Sequence, residues 1–513
     1  MHVHGEIWTL KELFTYPNEY IYWSIHIALY PYITGLVAGA FVLSSLYHVF
    51  GKKELKPVAK FSLVFSFALL LIAPTPLLFH LTQPQRAFNL YFTPHFYSAI
   101  AAFGVVYLTY MFIVLGEIWF SYRRFIIEQA QTKTGLLGLI YKILTLGSYD
   151  VSYKALQTDE KLTKILAAIG VPAAAFLHGY VGFIFGSVKT VALWKTPLMP
   201  FIFLMSAIIS GVALCIVTYI ICMKLMRKDI CKYAIKSMCN VLAIFLVISF
   251  VLESIDIIFH GYLAEESWGI LSVLLFDKIG FSMFGLQWGL GMILPFILLL
   301  SKKIGVKRAF VASLLVLVGV FAMRVNVVIG GQSMSKSLAG FMSYDFPILP
   351  TNLETFKEGL SAVLILSAMP FILFYIFNKI LPVFSKGKTI TAEDLMTHTP
   401  ITVSVDASAS EAASLALVKQ LECLPVVDSE GKVVGQVTQA QLISMDKDKD
   451  SVKQIMIPAV AVHEDITAHK LAKLITEKNA DAVVVVSEDN EPLGVVSKLD
   501  VVRFVEAGET CCV

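Results

Sequence analysis

Ten ionisable side chains stand in stretches that are otherwise almost wholly apolar: His26, His80, Glu117, His178, Glu253, Asp256, His260, Asp277, Lys278 and Arg324. A charged group at the centre of a bilayer costs roughly 2.5–3.5 kcal/mol on insertion scales. Each therefore needs an ion pair, a polar cavity or a function that uses its proton. Glu253, Asp256 and His260 follow one another at spacings of three and four, which stacks them on one helical face. Such a stripe can pass protons between titratable groups. Blander readings stand beside this one. His80, His260 and Asp277 lie near enough to a membrane surface to snorkel to water, and Asp277 and Lys278 can neutralise each other. Arg324, with Asn326, can simply brace the bundle by pairing with Glu253 or Asp256. His26 and His178 can in principle ligate a b-type haem between them, but no inner-side histidine pair exists for a second haem.

The elements that must position these groups are membrane spans. Of 513 residues, 57% are hydrophobic and 15% charged, against about 25% charge in an ordinary soluble domain. The apolar excess ends near residue 385, and the remainder reads as a globular domain. A span needs about 20 apolar residues, and hydropathy places nine, at 21–49, 58–80, 96–121, 162–187, 198–224, 235–262, 269–300, 308–330 and 358–383. Lys and Arg follow the first, third, fifth and seventh spans and flank the ninth, and the other loops nearly lack them. The positive-inside rule then puts the N-terminus outside and the C-terminus in the cytoplasm. With directions assigned, nine of the ten ionisable groups fall in the outer half of the membrane, and Glu117 alone lies toward the cytoplasm. The stretch 135–147 is too short to cross and is expected to lie along the inner leaflet. Gly35 with Gly39, and Gly182 with Gly186, are small-residue pairs that allow close helix approach.

Several function classes drop out. A net charge of +3 without a dense basic patch gives no reason to expect nucleic acid. The seven cysteines form no CxxC or ferredoxin-like spacing, so no iron–sulfur cluster is expected in this chain. Cys511 and Cys512 read as a free-thiol tail. The N-terminal MHVHGEIWTLKEL has no cleavable signal pattern.

Four segments, PNEYIYWSIHIALYPYITGLVAGAF (17–41), LLFHLTQPQRAFNLYFTPHFYSAIAAFG (77–104), HGYVGFIFGSVKTVALWKTPLMPFIFLMSAIISG (178–211) and RVNVVIGGQ (324–332), resemble, in order, the NrfD/polysulfide-reductase membrane-subunit family, its longer members above all. The resemblance implies a haem-free integral subunit that exchanges electrons with menaquinone or another quinone. It also implies a periplasmic ferredoxin-like iron–sulfur partner, with a c-type cytochrome, hydrogenase or molybdopterin subunit beyond it. By position in that family, Tyr180 is the ring-binding tyrosine, and His26 and Tyr30 are pocket residues of the first helix. His80 stands where many members have Asp, which puts a proton role there in doubt. Chemically, Tyr180 can donate to a carbonyl, His26 or His178 can exchange a proton, and Glu253, Asp256, His260, Arg324 and Asp277 can carry protons onward. Tyr180 can equally be an interfacial aromatic-belt residue.

The soluble tail repeats itself. DLMTHTPITVSVDAS (394–408) recurs loosely as QIMIPAVAVHEDIT (454–467), each followed by a helical run and an apolar strand pair, LPVVDSEGKVVGQVT (424–438) and AVVVVSEDNEPLGVVS (482–497). This resembles a tandem CBS pair. In that family a Thr/Ser with an Asp three residues on grips the ribose and phosphate of adenine nucleotides such as AMP or ATP. The second module has Ser497 and Asp500, while the first has Thr438 with Gln441, so one site at most is supported. A purely structural pair, or one that forms a homodimer, is the alternative. The expected architecture is an all-α polytopic bundle of about nine helices at 1–385, a linker at 386–390, an α/β CBS pair at 391–507 (391–447 and 451–507) and a tail at 508–513. The expected function is a quinone-linked subunit of a respiratory oxidoreductase in a prokaryotic inner membrane. The competing one is a CBS-regulated ion transporter or channel, although no selectivity-filter motif or inverted repeat of broken helices is present.

Overall fold

The computed structural model describes residues 22–506 apart from 82, 96, 266, 302–303, 339, 345, 385–390, 399, 420, 422 and 445–450. The linker expected at 386–390 and the tail at 508–513, with Cys511 and Cys512, lie outside the described residues, as do the first 21 residues. The chain divides into two compact units, the first ending at Phe384 and the second made of the remaining residues.

Among the described residues of the first unit, nine helices are long and apolar enough to cross a membrane. They are α1 His26–His48, α2 Lys53–His80, α3 Ala99–Thr132, α4 Tyr153–Gly186, α5 Met199–Leu225, α6 Lys232–Leu263, α7 Phe281–Leu299, α8 Val306–Ser333 and α9 Leu360–Ile380. In α1 and α5, 83% of the most apolar window is buried, against 28% in α3, α6 and α9. The first pair is thus the axis of the bundle and the other three face lipid. The axis is tight because it is built on glycine. A Cβ on Gly39 would stand 2.4 Å from the Ala207 carbonyl oxygen and 2.7 Å from Gly211 Cα. Over-packing costs about 1–3 kcal/mol even where side chains can yield, and here the obstacle is backbone. Gly39→Val is expected to lose at least about 3 kcal/mol of stability by thermal unfolding in detergent. Gly269→Ala, whose new carbon would meet nothing within 4 Å, is expected to be neutral.

Two expectations about the spans need correction. The seventh is not a continuous helix over 269–300. It starts as Trp268–Val273, widens into a π-turn at Leu274–Lys278, breaks at Ile279–Gly280, and resumes as the π-wound Phe281–Ile293 before ending in Leu294–Leu299. Hydropathy registers apolarity and is blind to such a change of winding. The helices of the third and fourth spans also run well past the apolar stretches, to Thr132 and back to Tyr153. There Arg123 pairs with Asp159 at 2.8 Å and donates to Ser148 and the Asp150 carbonyl. The short helix Gly135–Leu144 caps this basic end. It is tied down by the Tyr141 hydroxyl donating to the Ile380 carbonyl and by Trp119 Nε1 donating to that of Leu144. Leu136, Leu137, Leu139 and Ile143 remain exposed, as a helix lying in a leaflet requires.

The second unit contains two three-stranded motifs. Strand β1 is Thr397–His398, β2 Val403–Ser404, β3 Cys423–Val427, β4 Val433–Thr438, β5 Ala461–His463, β6 Ala482–Val486 and β7 Pro492–Ser497. In each repeat a parallel pair is followed by an antiparallel one: β2 with β3 and β3 with β4, then β5 with β6 and β6 with β7. The opening segment of each repeat docks on the other's sheet. Strand β1 pairs with β7, and Ile457 bridges to Gln436 of β4. Met396 fills the space beside Gly494, as Met456 does beside Gly435. The sequence repeat is therefore an exchange of arms that ties the two modules into one body.

Candidate functional site

The polar groups at the end of the bundle opposite the basic loops gather into three sets. The first joins α1 and α2. His26 is fully buried at the start of α1, with Nδ1 3.3 Å from Ser24 Oγ, which lies 2.9 Å from His80 Nδ1. Among the described residues His26 Nε2 finds no partner. Phe79 stacks on the imidazole at 6.2 Å. One turn along α1, Tyr30 meets Phe103 edge-on, and Phe103 stacks on Tyr180. Tyr30, Phe103 and Tyr180 are half-buried, so this aromatic row is partly exposed along α1, α3 and α4.

The second set is His178 with Arg324, both fully buried. Arg324 Nη2 donates to His178 Nε2 at 3.1 Å and to Ser206 Oγ at 2.6 Å, and the guanidinium lies 4.0 Å over the Phe203 ring. Arg324 forms no ion pair with Glu253 or Asp256, contrary to the bracing expected from sequence. A guanidinium can only donate, so in this contact His178 Nε2 is the acceptor. The arrangement sets His178 apart from Tyr180, beside which the sequence reading places it. Residues two apart on a helix do not share a face, and His178 points inward while Tyr180 points to α3. The haem alternative falls on the same geometry. His178 packs against Gly35, nine residues and about 13 Å along α1 from His26, so the two imidazoles do not face each other.

The third set is the acidic stripe of α6. Glu253 accepts from Gln287 Nε2 at 2.7 Å and Trp288 Nε1 at 2.9 Å, and Gln287 Oε1 accepts from Asn326 at 2.8 Å. Asp256 accepts from Thr196 Oγ1 at 2.6 Å, and His260 Nδ1 lies 2.8 Å from the Asp256 carbonyl. The expected single face is present. Asp277 does not join it; it and Lys278 are both exposed in the π-turn before α7.

Sequence reading missed Ser24, Thr196 and Gln287. Gln287 was findable, since an uncharged polar residue in mid-span also needs a partner. Thr196 was not, because it lies in the α4–α5 loop. That loop enters the bundle: Trp194 is 1% exposed and donates to the Val327 carbonyl, and a Cβ on Gly331 would meet its ring at 2.3 Å. Glu117 stands apart toward the basic end, as expected. It is buried, with Oε1 3.4 Å from Ser44 Oγ and Oε2 unpartnered. Among the described residues no three His, Cys, Asp or Glu side chains gather as a metal site.

In the second unit, Ser497 Oγ donates to Asp500 Oδ2 at 2.8 Å, and the Asp500 amide donates back to Ser497 Oγ. Thr438 makes the matching bond to Gln441 Oε1. Gln441 thus keeps the turn that Asp500 makes but not its charge.

Among the described residues, nine helices long and apolar enough to cross a membrane, with polar groups sunk in one half, precede a paired α/β module and define a multi-pass membrane protein with an appended α/β tail. The chain belongs to the family described as polysulphide reductase, NrfD, whose model matches residues 14–335, and it carries two CBS domains at 392–447 and 452–507. It is similar to a selenate reductase subunit of Mesobacillus selenatarsenatis, at 29% identity over 73% of this chain and 88% of that one. It is also similar to the Hdr-like menaquinol oxidoreductase integral membrane subunit of Archaeoglobus fulgidus, at 23% identity over 60% and 71%. The solved CBS pair of protein MJ0100, in complex with 5′-methylthioadenosine and S-adenosyl-L-methionine, is 26% identical, covering 23% of this chain and 98% of that one at a TM-score of 0.22. The chain is an NrfD-family multi-pass membrane protein that carries a tandem CBS pair.

Proposed function

We propose that this subunit exchanges electrons between menaquinone, or a related quinone, and a periplasmic ferredoxin-like iron–sulfur partner, and that its CBS pair reads adenine nucleotides in the cytoplasm. One observation carries the quinone reading: a buried imidazole nitrogen, His26 Nε2, without a partner among the described residues, beside a half-buried row of aromatic rings that we read as the wall of a crevice between α1, α3 and α4. A mostly apolar slot with a few placed polar groups is what an amphiphilic ring needs. A quinone there would supply two-electron chemistry coupled to two protons. His26 would hold a ring oxygen, Tyr180 carries a hydroxyl able to donate to the other, and Ser24 with His80 would link His26 to the membrane surface. The relative named for menaquinol oxidation supports the substrate class. Basic residues concentrated after alternate spans support the orientation, and the partner's side follows from it. The test is fluorescence-quenching titration of purified protein with a naphthoquinone analogue. Saturable binding that weakens in Tyr180→Phe is expected, and no binding at all would overturn the reading.

For the CBS pair, Asp500→Asn keeps the capping acceptor and removes the charge. A hydrogen bond to a charged group contributes about 1.5–3 kcal/mol, so AMP affinity is expected to fall by about 10–100-fold, measured by calorimetry on the full chain. Thr438→Ala is expected to change it far less, because Gln441 offers no charge there. Equal losses in both variants would place the nucleotide elsewhere.

A further inference from the structure

A second opening lies on the other side of α4. A cavity of about 860 Å³ sits where the end of α4, the α4–α5 loop, the end of α6 and the turn at Trp268 meet. None of Tyr30, Phe103 or Tyr180 lines it. Its walls are apolar, formed chiefly by Phe183, Pro200, Phe259, Leu263 and Trp268. Polar residues interrupt them: Thr196 and His260, with Ser187, Ser267 and Lys189 also on the lining. Thr196 spends its hydroxyl hydrogen on Asp256. The Asp256 carbonyl beside His260 Nδ1 can only accept, so Nδ1 carries a proton, and Nε2 accepts when the ring holds no second one. The Asp256 carboxylate Oδ1 also lies 3.8 Å from Nδ1. At the mouth Lys195 and Glu265 neutralise each other at 2.8 Å.

These features select a ligand. Pockets for small amphiphiles run from about 300 to 1,000 Å³, so the volume suits a two-ring head with the first units of a prenyl tail. A phospholipid phosphate would want concentrated positive charge; of the two lysines on the lining, Lys195 is engaged by Glu265 and Lys189 is exposed. The wall instead offers an acceptor nitrogen backed by a buried carboxylate, which suits an uncharged ring bearing a hydroxyl. We propose that this cavity is a second binding site for a lipid-soluble hydroquinone, with His260 Nε2 accepting from a ring hydroxyl. The proposal takes its ligand class from the quinone reading but does not depend on the crevice at His26 and Tyr180.

The test uses the full chain in nanodiscs and a photoreactive azido-naphthoquinol, with labelled peptides mapped by mass spectrometry. Ser187→Trp fills the cavity from its wall, and His260→Phe keeps the volume but removes the acceptor. The wild type is expected to be labelled both within 259–271 and near Tyr180. Ser187→Trp is expected to lose at least tenfold of the labelling at 259–271 and keep the other, and His260→Phe to lose severalfold. Labelling near Tyr180 alone overturns the second site and leaves the proposed function standing. Labelling at 259–271 alone supports the second site and removes the crevice. Labelling there that phosphatidylglycerol displaces and unlabelled naphthoquinol does not makes the cavity a lipid site and overturns the proposal. No specific labelling anywhere overturns both.

Discussion

His26→Ala is expected to lower quinol-coupled electron transfer by about a hundredfold, the lower end of what a positioned acid–base group contributes, without unfolding the bundle. The side chain sits at the first residue of α1, so its loss interrupts no helix, and among the described residues the hydrogen bond it gives up is the long one to Ser24. The partner complex and its soluble electron transfer should be unaffected, so the loss should appear only when a quinol is the donor or a quinone the acceptor. Ser24→Ala provides the sharper control. It leaves His26 in place but cuts the 2.9 Å link to His80, so it should slow turnover less than His26→Ala and mostly where proton delivery limits. His80→Asp restores the residue type that the family more often carries there and should retain most of the activity. Wild-type rates in His26→Ala, measured in membranes with a naphthoquinol, would remove the crevice as the reaction site.

Much of this arrangement was legible from residue type and spacing. The nine spans follow from the length an apolar helix needs. The stripe at Glu253, Asp256 and His260 follows from three-and-four spacing, and the close approach of α1 and α5 was foreshadowed by Gly39. The separation of His178 from Tyr180 was legible too, since an interval of two puts side chains on different faces of a helix. The proton chemistry of an imidazole drew His178 to the tyrosine where periodicity held them apart. What stayed hidden depends on tertiary partners. Arg324 has carboxylates one helix away, yet it settles on a histidine, a serine and a ring face. Trp194 and Thr196 belong to a loop, and hydropathy gives no warning that a loop will enter the core. The break at Ile279–Gly280 is a change of winding inside an apolar run, and composition does not encode it.

Glu253 is where structural and proton-carrying roles have to be separated, and two substitutions do so. Its carboxylate takes donors from Gln287 and Trp288, and Gln287 in turn holds Asn326 of α8. Glu253→Leu strands both donors in a buried site, at about 1–3 kcal/mol each, so a loss of at least about 2 kcal/mol in thermal unfolding is expected. Glu253→Gln keeps an acceptor for them and should unfold within a degree or two of the wild type. It cannot take up and release a proton, however. If the α6 stripe carries protons from the crevice, Glu253→Gln should slow quinol-coupled turnover at least about tenfold despite its native stability. If Glu253 merely ties α6 to α7, turnover should follow stability, and the glutamine variant should match the wild type. Arg324 sharpens the comparison. It is a buried cation without a carboxylate in contact, and Glu253 is one of the nearby acids able to offset its charge. Removing that negative charge while keeping the hydrogen bonds therefore also tests whether the centre of the bundle must stay electrically balanced to work.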